Sequence, residues 1–284
     1  MLTRALTGAV YVALVVAVSF LGGWYLSILF GIFTALMLYE FARMFRKSAY
    51  SPNATLLTIY GTLIYSLFTL ALHTRGDLTV SVNEISLYYR EAALFLIFAS
   101  IIFFGVFELT SPTKNPIVNT ALSVGAIIYI VPSMIMVNVL SVMGPEKVNI
   151  FPLLGIFIMI WCSDTFAYLI GRKFGKTKIA ESILFNKSWE GFIGGFIFTL
   201  IAGITIAYFQ DGHPFLAYSL IALVVSGFGL MGDLFESKMK RQLNLKDSGN
   251  IFPGHGGILD RFDSVLFVIP FATLVVYLFI FVLQ

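Results

Sequence analysis

Charge is scarce in this chain: aspartate, glutamate, lysine and arginine make up 12% of its 284 residues, about half the share that a soluble domain carries. A water-surrounded fold needs that missing polarity on its surface, so a soluble globular domain is excluded. Cysteine is nearly absent as well. The single one, Cys162, lies in an apolar run, so neither an intrachain disulfide nor a thiolate metal cluster can form. No internal repeat, low-complexity tract or soluble domain interrupts the sequence. What fills it is hydrophobic, 58% of the residues at a mean hydropathy of +0.91. These residues fall in runs of about 20, enough to cross a hydrocarbon core of roughly 30 Å at about 1.5 Å per helical residue.

Length and apolarity predict an all-α, polytopic integral membrane protein with about nine transmembrane helices, near 5–22, 24–42, 54–73, 92–109, 118–142, 150–171, 189–208, 215–235 and 262–283. The opening Met1–Arg4 and its apolar stretch have the outline of a signal peptide without a small-residue cleavage site, and are read as a retained first helix. With nine spans, all but three of the 18 lysines and arginines fall on one side; Arg75, Arg90 and Lys147 fall on the other. Basic loops stay cytoplasmic, so the N-terminus is expected in the cytoplasm and the C-terminus outside. Residues 1–90 read as a three-helix scaffold, 91–145 as a two-helix middle segment and 146–284 as a four-helix catalytic domain. Two long, basic, glycine-bearing loops, about 172–188 and 236–261, place function in that last part.

Carboxylates mark the site. Asp164, within the sixth span, would cost roughly 2.5–3.5 kcal/mol at a helix centre and so needs a partner or a cavity. Asp233 closes the eighth span and Asp260 opens the ninth, followed by Asp263. Neighbouring helix ends can bring Asp233 and Asp260 together, where mutual repulsion calls for a cation. Mg²⁺, which takes carboxylate and phosphate oxygens, is the expected one. The plainer alternative for Asp260 is a carboxylate stabilised by the helix dipole. Between them run Ser237, Lys238, Lys240, Arg241, Lys246, Asp247, Ser248 and a Gly254-His255-Gly256-Gly257 turn. Cations, hydroxyls and glycines interleaved in this way suit phosphate oxygens. On composition alone, a basic membrane-side loop is more often a topology signal or an anionic-lipid contact, so spacing must decide.

The segment Ser237–Asp263, SKMKRQLNLKDSGNIFPGHGGILDRFD, resembles the signature of the phosphatidate cytidylyltransferase family. Asp164-Thr165-Phe166-Ala167-Tyr168 with Gly171–Lys176 is similar to a second element of that family, and Lys187-Ser188-Trp189-Glu190-Gly191 to a third. The resemblance covers about residues 150–284. One departure is Phe185-Asn186-Lys187, where the family often has a proline and two lysines.

The resemblance implies an enzyme that makes CDP-diacylglycerol and pyrophosphate from CTP and phosphatidic acid in the cell (plasma or inner) membrane, with its site on the cytoplasmic side. Asp233 and Asp260 would then hold one or two Mg²⁺ ions, with Asp164 and Asp263 as further ligands or supporting groups. Asp233, Asp260, Lys246 and Arg261 are the expected catalytic set. Substrate contacts are expected from Ser237, Lys240, Arg241, Asp247, Gly256, Gly257, Lys173, Lys187 and Ser188. His255 could be a general base, a phosphate donor or a loop support; phosphate contact or loop support is favoured, since the attacking phosphate is already anionic. A homodimer is expected from the family, and nucleic acid is not expected as a partner. The rivals are a CTP-dependent lipid-alcohol kinase and, from another class, a transporter. A transporter would carry paired ionisable groups near the midplane in two repeated halves.

Overall fold

A computed structural model describes residues 2–74, 80–111, 114–143, 150–180, 184–210, 212, 214–251 and 256–281. The chain is helical nearly throughout: α1 Leu2–Leu21, α2 Gly23–Met44, a short 3-10 turn Phe45–Lys47, α3 Ala54–His73, α4 Val80–Thr110, α5 Pro116–Val142, α6 Ile150–Phe174, α7 Trp189–Tyr208, α8 Phe215–Gln242 and α9 Leu259–Phe281. Eight of these are long and apolar enough to cross a membrane, and α1 adds the apolar run Thr7–Leu21. The all-α membrane architecture expected from composition is therefore present. It carries one addition, a two-stranded antiparallel hairpin of β1 Lys178–Ala180 and β2 Leu184–Ser188.

Two helices are longer than their apolar runs. The α4 helix starts at Val80 rather than near 92, because Val80–Tyr89 keeps spaced apolar residues and contains no glycine or proline to stop it. The other is α8, which continues past Asp233 to Gln242, so Ser237, Lys240 and Arg241 lie on a helix and not in a loop. Leucine, methionine, lysine and arginine are good helix formers even where the chain turns polar, and cations in a last turn favour the helix dipole. The connection to α9 is correspondingly short, residues 243–258.

The chain forms two compact units that interleave in sequence. One holds Met1–Val139 and Leu243–Asp260, the other Leu140–Gln242 and Arg261–Gln284. In the first, α2 and α3 pack closely because Gly31 admits the Tyr65 ring and Gly61 admits Leu38. Buried polar groups then join the helices: the Ser27 hydroxyl donates to Asn138 Oδ1 at 2.7 Å, Asn138 Nδ2 to the Tyr65 hydroxyl at 2.8 Å, and that hydroxyl to the Ser27 carbonyl at 2.8 Å. In lipid, such bonds and small-residue contacts supply the association that apolar burial supplies in water. The second unit uses the same device on α6 and α7. A Cβ on Gly191 would meet the Ala167 carbonyl at 2.7 Å and Gly171 Cα at 3.0 Å, and one on Gly195 would meet the Ser163 carbonyl at 2.9 Å. Their backbones can approach this far only because side chains are missing.

Candidate active site

In the second unit the site begins where α7 begins. Ser188 is the N-cap residue of α7: its hydroxyl oxygen accepts from the Gly191 N–H at 3.2 Å, which satisfies one of the orphan donors of the first turn. Glu190, in that turn, accepts from the backbone N–H groups of Lys176 and Thr177 at 3.0 and 3.1 Å. The hairpin is thereby tied to the helix start, and β2 presents Lys187 one residue before the cap. Lys173 stands exposed in the last turn of α6, with its ammonium 5.2 Å from the centre of the Phe174 ring.

Lys187 forms an ion pair with Asp233 of α8. Partial burial lowers the Lys187 ammonium from the ordinary lysine range, and the nearby Asp164 and Asp263 carboxylates push it back up. Asp233 is set by α9, whose Ser264 hydroxyl lies 3.1 Å from Asp233 Oδ1 and 3.3 Å from the Gly229 carbonyl. That approach depends on Gly232, where a Cβ would run into the backbone of Asp263 and Ser264. Asp263 Oδ1 accepts from the Ser264 N–H at 2.7 Å. Asp164 keeps accessible surface on α6 rather than being packed away. One turn beyond Asp233, the buried Glu236 receives Lys240 at 2.9 Å. Ser237 is half-buried on the same helix, while Arg241 and, in the first turn of α9, Arg261 are exposed.

Three aspartates thus surround one ammonium. Carboxylate oxygens are the hard donors that Mg²⁺ prefers, and Lys187 supplies the positive charge among them here; the described residues hold no ready-made group of three metal ligands.

In the first unit the α8–α9 connection folds around Asp260. Its Oδ2 accepts from the Ser248 N–H at 2.9 Å, the Ser248 hydroxyl at 3.0 Å and the Gly257 N–H at 2.7 Å. Gly256 has φ +87°, and a Cβ there would meet Asp260 Oδ2 at 2.5 Å, so glycine is required both for the turn and for the carboxylate behind it. Asp260 organises its loop in addition to opening the helix. Lys246 and Asp247 are exposed on that loop. Asp247, Ser248 and Asn250, with Tyr39 and Arg43 from the end of α2 and Arg46 from the 3-10 turn after it, line a cavity of about 510 Å³, a volume typical of small-molecule sites. His255 lies outside the described residues.

Two features escape a reading of the C-terminal half alone. Glu40 of α2 is buried, and it accepts from the Leu259 N–H at 2.9 Å. Arg43 and Arg46 share a cavity with the signature loop. The available signal was an ionisable residue near the end of a span otherwise free of charge, Tyr39-Glu40-Phe41.

The sequence profile described as the cytidylyltransferase family matches residues 2–279. The chain is 49% identical over 123 residues to the phosphatidate cytidylyltransferase of Bacillus subtilis (strain 168), a match covering 43% of this chain and 46% of that one. It is 50% identical over 115 residues to the phosphatidate cytidylyltransferases of Staphylococcus haemolyticus (strain JCSC1435) and Staphylococcus aureus (strain COL), covering 40% of this chain and 44% of each. In these matches the chain spans a little under half the length of its curated relatives.

Proposed function

The chain belongs to the cytidylyltransferase family, and from that premise we propose that it transfers CMP from CTP to phosphatidic acid, giving CDP-diacylglycerol and pyrophosphate. The observation that carries this reading is the family match from residue 2 to residue 279, which includes the whole Ser237–Asp263 signature and both compact units.

A phosphate oxygen of phosphatidic acid attacks the α-phosphorus of CTP, the bond from that phosphorus to the α–β bridging oxygen breaks, and pyrophosphate leaves with the electron pair. No proton has to be removed from the nucleophile, so the protein's work is positioning and charge neutralisation. In this proposal Asp164, Asp233 and Asp263 would hold Mg²⁺, which when bound would neutralise charge on the triphosphate, while Asp260 orders the signature loop. Lys187 holds Asp233 in place before substrate enters. Lys240, Lys246, Arg241 and Arg261 engage phosphate oxygens, and Ser237, Asp247, Gly256 and Gly257 complete the substrate contacts. Arg43 and Arg46 flank the cavity beside the signature loop and are assigned to the nucleotide, so each changed to alanine raises KM for CTP about tenfold, the loss of one charge-assisted contact. A rise in KM for phosphatidic acid alone would assign them to the lipid.

The cytoplasmic face of the cell membrane suits both substrates, since CTP arrives from water while the lipid presents its phosphate at the same level. A homodimer is part of this proposal. The reading is tested by pyrophosphate release from CTP, which is expected only when phosphatidic acid is present. Release of CDP with phosphorylation of a lipid alcohol would establish a kinase instead.

A further inference from the structure

The α2 glutamate stands far in sequence from the signature segment, yet its carboxylate takes hydrogen bonds from Ser248 of the α8–α9 connection and from Leu259, the first residue of α9. Glu40 Oε2 accepts from the Leu259 N–H at 2.9 Å. That N–H opens a helix and has no intrahelical acceptor, so Glu40 supplies one from outside. The Ser248 hydroxyl has a single proton, and its oxygen lies 3.0 Å from Asp260 Oδ2 and 3.4 Å from Glu40 Oε2. Glycine makes room for this. A Cβ on Gly249 would land on Glu40 Oε1 and lie 2.8 Å from Cδ and 3.1 Å from Cγ, and one on Gly257 would lie 2.7 Å from Cδ. Two signature glycines therefore leave space for a side chain about 200 residues away in sequence.

We propose that Glu40 is a positioning residue. Its carboxylate holds Ser248 and Leu259, and through them fixes the loop donors that orient Asp260. The inference rests on the reading that this loop belongs to a cytidylyl-transfer site. Because the role is acceptance of hydrogen bonds, glutamine should fill it and leucine should not.

The test uses the full chain in detergent, with four readouts: trypsin cleavage after Lys246 without substrate, kcat, KM for CTP and melting temperature. Glu40→Leu is expected to raise cleavage about tenfold and lower kcat about a hundredfold while KM for CTP changes less than about threefold; Glu40→Gln stays within about threefold of wild type throughout. Gly249→Ala should resemble Glu40→Leu in the native background, yet add less than about threefold to Glu40→Ala, because the group it collides with has gone. That non-additivity decides the matter even where Glu40→Leu folds poorly. Wild-type cleavage and kcat in Glu40→Leu, a Glu40→Gln as inactive as Glu40→Leu, or additive effects of Gly249→Ala and Glu40→Ala would each overturn the proposal. Cleavage at Lys246 needs neither CTP nor lipid. A chain that shows the Glu40 dependence but releases no pyrophosphate therefore overturns the cytidylyl-transfer reading alone.

Discussion

Lys187 and Asp233 illustrate how one pair can serve both folding and chemistry. Their ion pair sits partly exposed, with Asp164 and Asp263 close enough to act on the same ammonium. Removing the cation leaves three carboxylates without it, so Lys187→Met should destabilise the protein by about 1–3 kcal/mol, below the full cost for a buried pair because water still reaches this one. If those carboxylates take a divalent ion, millimolar Mg²⁺ should raise the melting temperature of Lys187→Met more than that of wild type. Equal shifts would argue against a metal there. Asp233→Asn keeps the shape and removes one ligand charge. Turnover should fall about a thousandfold, since roughly 1.36 kcal/mol is tenfold in rate and metal neutralisation is worth several kcal/mol, while the melting temperature moves only a few degrees. A stable Asp233→Asn protein with near-normal turnover would sink the metal proposal. These aspartates could be found in the sequence because charge is rare in a membrane span and therefore conspicuous. Glu40 was just as conspicuous, but its partners lie beyond residue 240, and linear order gives no hint of that pairing.

At the scale of helices, glycine decides which pairs come close. Gly191 and Gly195 let α7 lie against the backbone of α6, which sets the Ser188 cap and the direction of Lys187. Gly191→Ala places a methyl group against a carbonyl and should cost about 1–3 kcal/mol as overpacking. Gly227, in the middle of α8, has open space where a Cβ would go. Gly227→Ala should be neutral or stabilising by up to about 1 kcal/mol, as removal of glycine from a helix interior. Thermal unfolding of the two variants in one detergent checks the contrast, and equal destabilisation would show that space is not what the glycines provide. Helix existence and order were legible because apolar runs of span length are an unambiguous signal. The ends were less so. An apolar count stops where charge begins, yet α8 carries Lys238, Lys240 and Arg241 as a helix beyond its apolar part. The β1–β2 hairpin was missed because strands of three and five residues, rich in lysine, leave no apolar alternation to detect.

For the molecule as a whole, the proposed membrane sidedness rests on the distribution of lysine and arginine. With Cys162 replaced by serine, single cysteines at Lys178 and Leu243 should react with an impermeant reagent only from the cytoplasmic side, and one at Gly212 only from outside. Reaction of Lys178→Cys and Gly212→Cys from the same side would break this orientation. The division into two compact units was not visible in the sequence, since residues 243–260 join the N-terminal helices in one unit while the helices that flank them belong to the other. An ordered reading of 1–90, 91–145 and 146–284 follows the chain, whereas compactness groups residues by contact. In the proposed reaction the α-phosphorus of CTP passes to a lipid phosphate. Purified protein in liposomes containing phosphatidic acid should be given CTP labelled at the α-phosphorus in one sample and at the γ-phosphorus in another. The α-label should enter the chloroform-extractable lipid in proportion to the pyrophosphate released, and the γ-label should stay in water. Appearance of the γ-label in lipid, with the α-label left behind in CDP, would contradict cytidylyl transfer.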